Sequence, residues 1–376
     1  MSKLNNLIDE FVEAALSPSE AIEKSKQITG KEIVGCFPVY TPEEIIYAAG
    51  FLPVGMWGGK TEIRYADKYL QSFCCSIMRS NIEYGIKGVY KSLKATIIPA
   101  FCDTLKCIIE NWKVAIPDIP VIPVVYPQNR TDTFGYAYLV AEFTRFKSEM
   151  EKLSGKTISE SELAAAFDIY ENYRSLMRSF VEIVKDYPVT INARKRHLII
   201  KSGYFMDKKH YSELMKELID ALKAMPKEKH SGPRVVGTGL IFEPIELTDI
   251  FVENQISLVE DDFAQESRQF RAVARTEGTA MDKMAYRVVD LRGCTFLYEE
   301  QKSKGDMLVE MVKRNKADAV FVSMMKFCDP EEFDYPIIKK KLDDAGIPIL
   351  YIETEMHMDS YEQIRTRIQS FSEMLM

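Results

Sequence analysis

The sequence predicts an α/β protein with two Rossmann-like (flavodoxin-like) parallel-sheet domains. The two are related by an internal repeat and accompanied by helical N-terminal and connecting segments. Three observations lead there. β-Branched apolar runs alternate with helical patterns in both halves of the chain, as strand–helix–strand units of a parallel sheet require. A proline at a helix start follows a short strand and loop twice, at Pro42 and at Pro244. The tripeptide Phe-Cys-Asp closes a β-branched run and opens a helix twice, at 101–103 and at 327–329.

In chain order, residues 1–30 read as one or two helices. The first α/β domain, 31–150, opens with the strand and loop Val34–Tyr40. Thr41 is the expected N-cap, Pro42 the first helical residue and Glu44 the closing member of a capping box. That helix runs from Glu43 to Ala49 and stops at Gly50, and Phe51–Trp57 is the next strand. The run Ala95–Pro99 leads to Phe101-Cys102-Asp103, where Asp103 is placed to cap a helix, and Ile119–Val125 is a strand beyond it. Glu151–Ser231 is long, charged and helical, with apolar spacing of three and four residues over Leu163–Ile183 and Asp207–Ala224. Lys227–Pro233 marks the boundary to the second α/β domain, 232–376. There Arg234–Gly239, a helix through Phe251 and the strand Ile256–Val259 repeat the opening. Ala319–Met325 repeats the run before Phe327-Cys328-Asp329, with Asp329 as N-cap and Glu332 three residues on. Ile347–Ile352 is the last strand and Tyr361–Phe371 an amphipathic helix.

The chain has 376 residues, enough for two or three domains at roughly 150 residues each. Hydrophobic residues make up 46% and charged residues 28%, a globular balance that excludes disorder. With 49 Lys plus Arg against 56 Asp plus Glu, the net charge is −7. No long basic run offsets it, so neither nucleic acid nor an anionic membrane is an expected partner. No apolar run reaches the roughly 18 residues of a membrane helix. The first ten residues enter an acidic helical pattern without a signal-peptide core, so the cytoplasm is the expected compartment. In that compartment seven cysteines are not expected to form structural disulfides. Four histidines make a histidine-built metal site improbable.

The cysteines carry the chemistry. Ligands of parallel sheets gather at the carboxyl ends of strands, where helix N-termini present free N–H groups. Cys102 and Cys328 hold equivalent strand-end positions, and if the two halves face each other both thiolates converge on one cleft. Cys74 and Cys75 follow the second strand of the first half, again at a helix start. Thiolates gathered at helix N-termini suit an iron–sulfur cluster, because the amides lower the thiol pKa and hydrogen-bond the sulfurs. Simple burial is the alternative for any one of them. Cys36 is near a strand end, whereas Cys107 and Cys294 read as packing residues. Gly237-Thr-Gly239 lacks the third glycine of a dinucleotide fingerprint and reads as a tight turn. No phosphate-binding P-loop occurs. Glu260–Arg268 ends a strand and is either a ligand-orienting or partner-facing segment or a solvated loop. Met324 and Met325 read as core, and Arg365 and Arg367 as surface charges.

Several segments together resemble one family. They are Gly35-Cys-Phe-Pro-Val-Tyr-Thr-Pro-Glu-Glu-Ile, Leu52-Pro-Val-Gly-Met-Trp-Gly, Cys102-Asp-Thr-Leu, Tyr126-Pro-Gln-Asn-Arg, Asp261-Asp-Phe-Ala-Gln-Glu-Ser-Arg, Met324-Met-Lys-Phe-Cys-Asp-Pro-Glu-Glu and Arg365-Thr-Arg-Ile-Gln. Spread over essentially the whole chain, they resemble the smaller, beta subunit of the 2-hydroxyacyl-CoA dehydratases, which are related to benzoyl-CoA reductase subunits. The resemblance implies an oxygen-sensitive lyase of fermenting anaerobes, built as an alpha–beta heterodimer or a heterotetramer of two. It implies a [4Fe–4S] cluster in this chain on Cys75, Cys102 and Cys328, with Asp103, Asp329, Glu44 and Glu266 as candidates for the surrounding shell. Cys36, Cys107 and Cys294 fall outside the implied ligand set.

The implied reaction removes water from a 2-hydroxyacyl-CoA to give an (E)-2-enoyl-CoA by syn elimination. The β-proton is not acidified by any carbonyl, so an ionic route has the wrong polarity. One electron on the thioester carbonyl gives a ketyl radical anion that expels the α-hydroxyl and acidifies the β-hydrogen. A separate ATP-dependent iron–sulfur activator supplies that electron, and the substrate binds mainly at the alpha subunit. Two other readings compete. A reductase of the benzoyl-CoA or double-cubane type would draw further ligands from Cys36, Cys74 or Cys107. A cofactor-free structural subunit would leave every cysteine as packing.

Overall fold

In a computed structural model, residues 3–376 are described; Met1 and Ser2, the start of the expected 1–30 segment, lie outside them. Helices α1 (Lys3–Leu16) and α2 (Pro18–Thr29) precede the first sheet unit. That unit comprises β1 (Ile33–Cys36), α3 (Glu43–Ala48), β2 (Leu52–Gly55), α4 (Ser76–Ile86), β3 (Leu93–Pro99), α5 (Asp103–Ala115) and β4 (Val121–Val124). Four helices follow: α6 (Thr133–Ser154), α7 (Glu160–Ile183), α8 (Ala193–Ser202) and α9 (Lys208–Lys223). The second unit comprises β5 (Arg234–Gly239), α10 (Ile245–Glu253), β6 (Ser257–Phe263), α11 (Ala280–Val289), α12 (Lys304–Asn315), β7 (Ala319–Met325), α13 (Asp329–Asp344), β8 (Ile349–Thr354) and α14 (Glu362–Leu375).

Both sheets are parallel and have the same order, β2-β1-β3-β4 and β6-β5-β7-β8. The expected α/β class and the repeat are therefore both present. Helices cover both faces of a parallel sheet, so its central strands are continuously apolar. All seven residues of β7 are buried, and so are six of the seven in β3. Phe242, Phe251, Phe263 and Phe321 pack ring to ring beneath the second sheet. At Gly239, φ is 134° and an added Cβ would lie 2.0 Å from the Ser323 carbonyl oxygen, so only glycine fits this close approach of β5 to β7.

The connecting helices start where their caps dictate. Ser159 and Glu162 form a reciprocal capping box at α7, and the Asp207 carboxylate accepts from the Lys209 and His210 amides at α9. Such caps are worth about 1 kcal/mol each. Helix α6 runs unbroken across residue 150 and places Leu139, Phe143, Phe146 and Met150 in the core of the first unit. Met284, Ala285 and Val288 of α11 enter that same core, so a segment of the second unit packs on the first.

Three local expectations fail. Helix α3 begins at Glu43 with Pro42, not Thr41, before it, and no side chain caps it. The Thr41 hydroxyl instead donates to the Phe37 carbonyl, and Glu44 turns inward to two arginines. Asp103 and Asp329 do not cap their helices: each is the first helical residue, and the cysteine before it holds the cap position. Cys75 does not directly follow β2, because the long loop Met56–Cys75, with a 3₁₀ turn at Ala66–Lys68, intervenes.

Candidate metal centre

In each sheet the chain reverses its direction of travel between the two central strands, β1 and β3 or β5 and β7. The crevice outside the carboxyl ends of such a strand pair is where parallel sheets bind ligands. The two crevices face each other across one cavity. Pro38 and Val39 reach it from the end of β1, Cys102, Thr104 and Leu105 from the end of β3, and Leu240 from the end of β5. Phe327, Cys328, Asp329 and Pro330 reach it from the end of β7, and Cys75 and Met78 from the start of α4. Its volume is about 30 Å³.

All three cysteines occupy the residue immediately before a helix, at α4, α5 and α13. The Leu105 amide donates to the Cys102 sulfur at 3.5 Å. Amides of Met78 and Ile77 face Cys75, and that of Glu331 faces Cys328. Burial pushes the Cys75 thiol up to about 12 against the pull of those amides. Burial raises the Cys328 thiol well above the ordinary range, with Glu331 and then Cys75 adding to it, and it also raises Cys102. Thiols so placed keep their protons until a cation displaces them, so metal binding here releases protons. Among the described residues no group of three or more His, Cys, Asp or Glu is arranged around a single ion. A cubane cluster instead takes each thiolate on a different iron, and three cysteines at three separate helix starts are a donor set of that kind.

Of the four surrounding residues proposed, Asp329 lines the cavity but is exposed, and Asp103 is exposed and pairs with Lys106 at 3.2 Å. Glu44 and Glu266 do not line it. Glu44 is bound by Arg174 at 2.6 Å and Arg287 at 3.1 Å in a separate cavity. Glu266 is bound by Arg196 and by His197 at 2.8 Å. The segment Glu260–Arg268 is not a solvated loop. Its Asp261 pairs with Arg196 and its Asp262 with Arg268, all four side chains being buried.

Other cysteines are placed differently. Cys74 is buried beside Cys75 but does not line the cavity. Cys107 is exposed on α5, so it is no packing residue. Cys294 is buried, with its sulfur 3.0 Å from the Tyr40 hydroxyl. Glu331, which sequence reasoning missed, stands one turn after Cys328. Its carboxylate accepts from Arg268 and Thr295 at 2.8 Å and from Lys304 at 2.7 Å. Its signal was the second of three acidic residues in a first helical turn, where one would ordinarily serve the dipole from the surface. A larger cavity, about 670 Å³, lies elsewhere, between α2, Val54–Lys60 and Glu243–Glu246.

Residues 38–375 match the family described as 2-hydroxyglutaryl-CoA dehydratase, D-component. This chain belongs to the beta subunits of the 2-hydroxyacyl-CoA dehydratase family. It is 41% identical over its full length, and over the full length of the relative, to the (R)-phenyllactyl-CoA dehydratase beta subunit of Clostridium sporogenes. It is 42% identical, again over all of both chains, to lactoyl-CoA dehydratase subunit beta of Anaerotignum propionicum. The (R)-2-hydroxyglutaryl-CoA dehydratase subunit beta of Acidaminococcus fermentans is 33% identical over 99% of this chain and all of its own. The family is also related to one of the benzoyl-CoA reductase subunits of Thauera aromatica. As a beta subunit the chain has an alpha partner, and none of its described helices is long and apolar enough to cross a membrane.

Proposed function

We propose that Cys75, Cys102 and Cys328 bind a [4Fe–4S] cluster. In this reading the chain is the cluster-bearing beta subunit of an oxygen-sensitive (R)-2-hydroxyacyl-CoA dehydratase that forms an (E)-2-enoyl-CoA. It works with its alpha subunit, as a heterodimer or heterotetramer, and with an ATP-dependent iron–sulfur activator. The observation that carries the reading is the convergence of three cysteines, from both repeats, on one cavity at facing strand ends. When bound, the cluster supplies the one-electron chemistry that an elimination against thioester polarity needs.

The chain's own residues do the rest. Three helix starts aim amides at the sulfurs, which favours the thiolate form. Met78, Leu105, Leu240, Phe296 and Phe327 give the cavity an apolar wall that limits water. Glu331, locked by Arg268 and Lys304, fixes the first turn of α13 and hence the Cys328 sulfur. Acyl selectivity is left to the alpha subunit.

The test is dehydration of lactoyl-, 2-hydroxyglutaryl- and phenyllactyl-CoA by the anaerobic alpha–beta complex with activator and ATP. Turnover of at least one substrate, abolished by Cys102→Ser and by Cys328→Ser but kept by Cys294→Ser, is expected. Equal loss in all three variants would undo the ligand assignment.

A further inference from the structure

A second cavity, about 70 Å³, lies on the other side of the loop that follows β1: Tyr40 lines it, whereas Pro38 and Val39 line the cysteine cavity. Its walls are α3, α7 and α11, with Lys208 at the start of α9. Arg174 from α7 and Arg287 from α11 both bind the same oxygen, Oε1 of Glu44, at 2.6 and 3.1 Å. That single carboxylate cannot satisfy two guanidinium forks. Arg174 is 4% exposed and its Nη2 has no partner, and the Nε of Arg287 is likewise buried without one. A buried guanidinium N–H left unpaired is costly, and a planar oxyanion is the group whose lone pairs match the fork.

The balance of charge points the same way. Arg268 on the cavity wall is paired with Asp262 and Glu331 behind it, carboxylates it shares with Arg271 and Lys304. Arg174, Arg287 and Lys208 remain, against Glu43 and Glu44. Glu171, which takes the Arg174 Nε at 2.9 Å, is shared with Arg178. Lys208 stands among the rings of Tyr170, Tyr173 and Tyr204 at 5.9, 5.1 and 6.0 Å, with Glu43 3.5 Å away. Burial, and next the Arg174 charge, pull the Arg287 guanidinium down to about 10, whereas Glu44 and Glu171 overcome burial and hold Arg174 up, so the anions present serve Arg174 first.

We propose that this cavity binds a small oxyanion, a carboxylate or a phosphate group, in the fork made by Arg174 and Arg287. The space admits the anionic head and not a whole coenzyme A. The site does not depend on the cluster assignment, so either can fail without the other.

Titration calorimetry of the full alpha–beta complex in chloride buffer tests it, with inorganic phosphate in one arm and acetate in the other. Saturable binding of at least one of them, at one site per beta chain, is expected. The stronger arm identifies the head group. Arg287→Gln should weaken that binding about tenfold, the loss of one charge-assisted hydrogen bond. Glu44→Gln should tighten it, because the competing internal carboxylate is gone. If Arg287→Gln fails to assemble, Lys208→Gln replaces it and should weaken binding in the same sense. No saturable heat with either anion at tens of millimolar, or binding untouched by these substitutions, overturns the proposal.

Discussion

At the first Phe-Cys-Asp corner Phe101 is buried, stacked on Tyr126 with ring centroids 4.3 Å apart. The Asp103 side chain points to solvent beside Lys106, and the helix behind Cys102 carries no buried ion pair. At the second corner Phe327 lines the cysteine cavity yet is 36% exposed, with a left-handed φ of 63°. One turn behind Cys328, Glu331 is buried between Arg268 and Lys304, with Asp262 completing the set. The strand order around the two corners is identical. Topology therefore places the sulfur, and the residues one turn further on decide how firmly it is held. The two repeats have diverged in that second respect, from a surface-facing corner to one anchored in buried charge.

The contrast can be broken from the anchored side. Glu331→Ala leaves Arg268 and Lys304 as buried charges short of a partner and should cost on the order of 4 kcal/mol, read as a shift in the denaturation midpoint. Gly239→Ala, at the close approach of β5 to β7, should cost on the order of 3 kcal/mol, since φ and the Ser323 carbonyl both oppose a side chain.

A pH series sharpens the comparison. Burial raises the Glu331 carboxyl, but Lys304 and Arg268 overcome it and hold the group at about 2. A carboxyl depressed in the folded state gives its full stabilisation above its unfolded value, roughly 4.3, and loses it as pH falls toward 2. Urea midpoints of the iron-free chain should fall across that window, and Glu331→Gln should flatten this part of the profile. Asp103→Asn, the matched change at the surface corner, should stay within about 0.5 kcal/mol of wild type at any pH in the series.

The sheet repeat and the strand-end positions of Cys102 and Cys328 were legible because both rest on local signals: β-branched runs, prolines at helix starts, and one tripeptide used twice; Cys75 rather than Cys74 came only with the family resemblance. The convergence of the cysteines was conditional on two halves facing each other, a long-range fact that no spacing encodes. Caps were misassigned by one residue at Asp103 and Asp329, because aspartate is a good cap and also a good first helical residue. Glu331, Arg174 and Arg287 were illegible as site residues. A buried charge looks in sequence like a surface charge until its partners, dozens of residues away, are packed against it.

The central claim is a cluster held by three cysteines from both repeats. Iron and acid-labile sulfide per chain, on protein purified without oxygen, alone and with its alpha subunit, test it most directly. About four irons and four sulfides per copy of this chain are predicted, lost in Cys75→Ser, Cys102→Ser and Cys328→Ser and kept in Cys74→Ser, Cys107→Ser and Cys294→Ser. A chain without iron under those conditions, or iron that survives Cys328→Ser undiminished, would contradict the account.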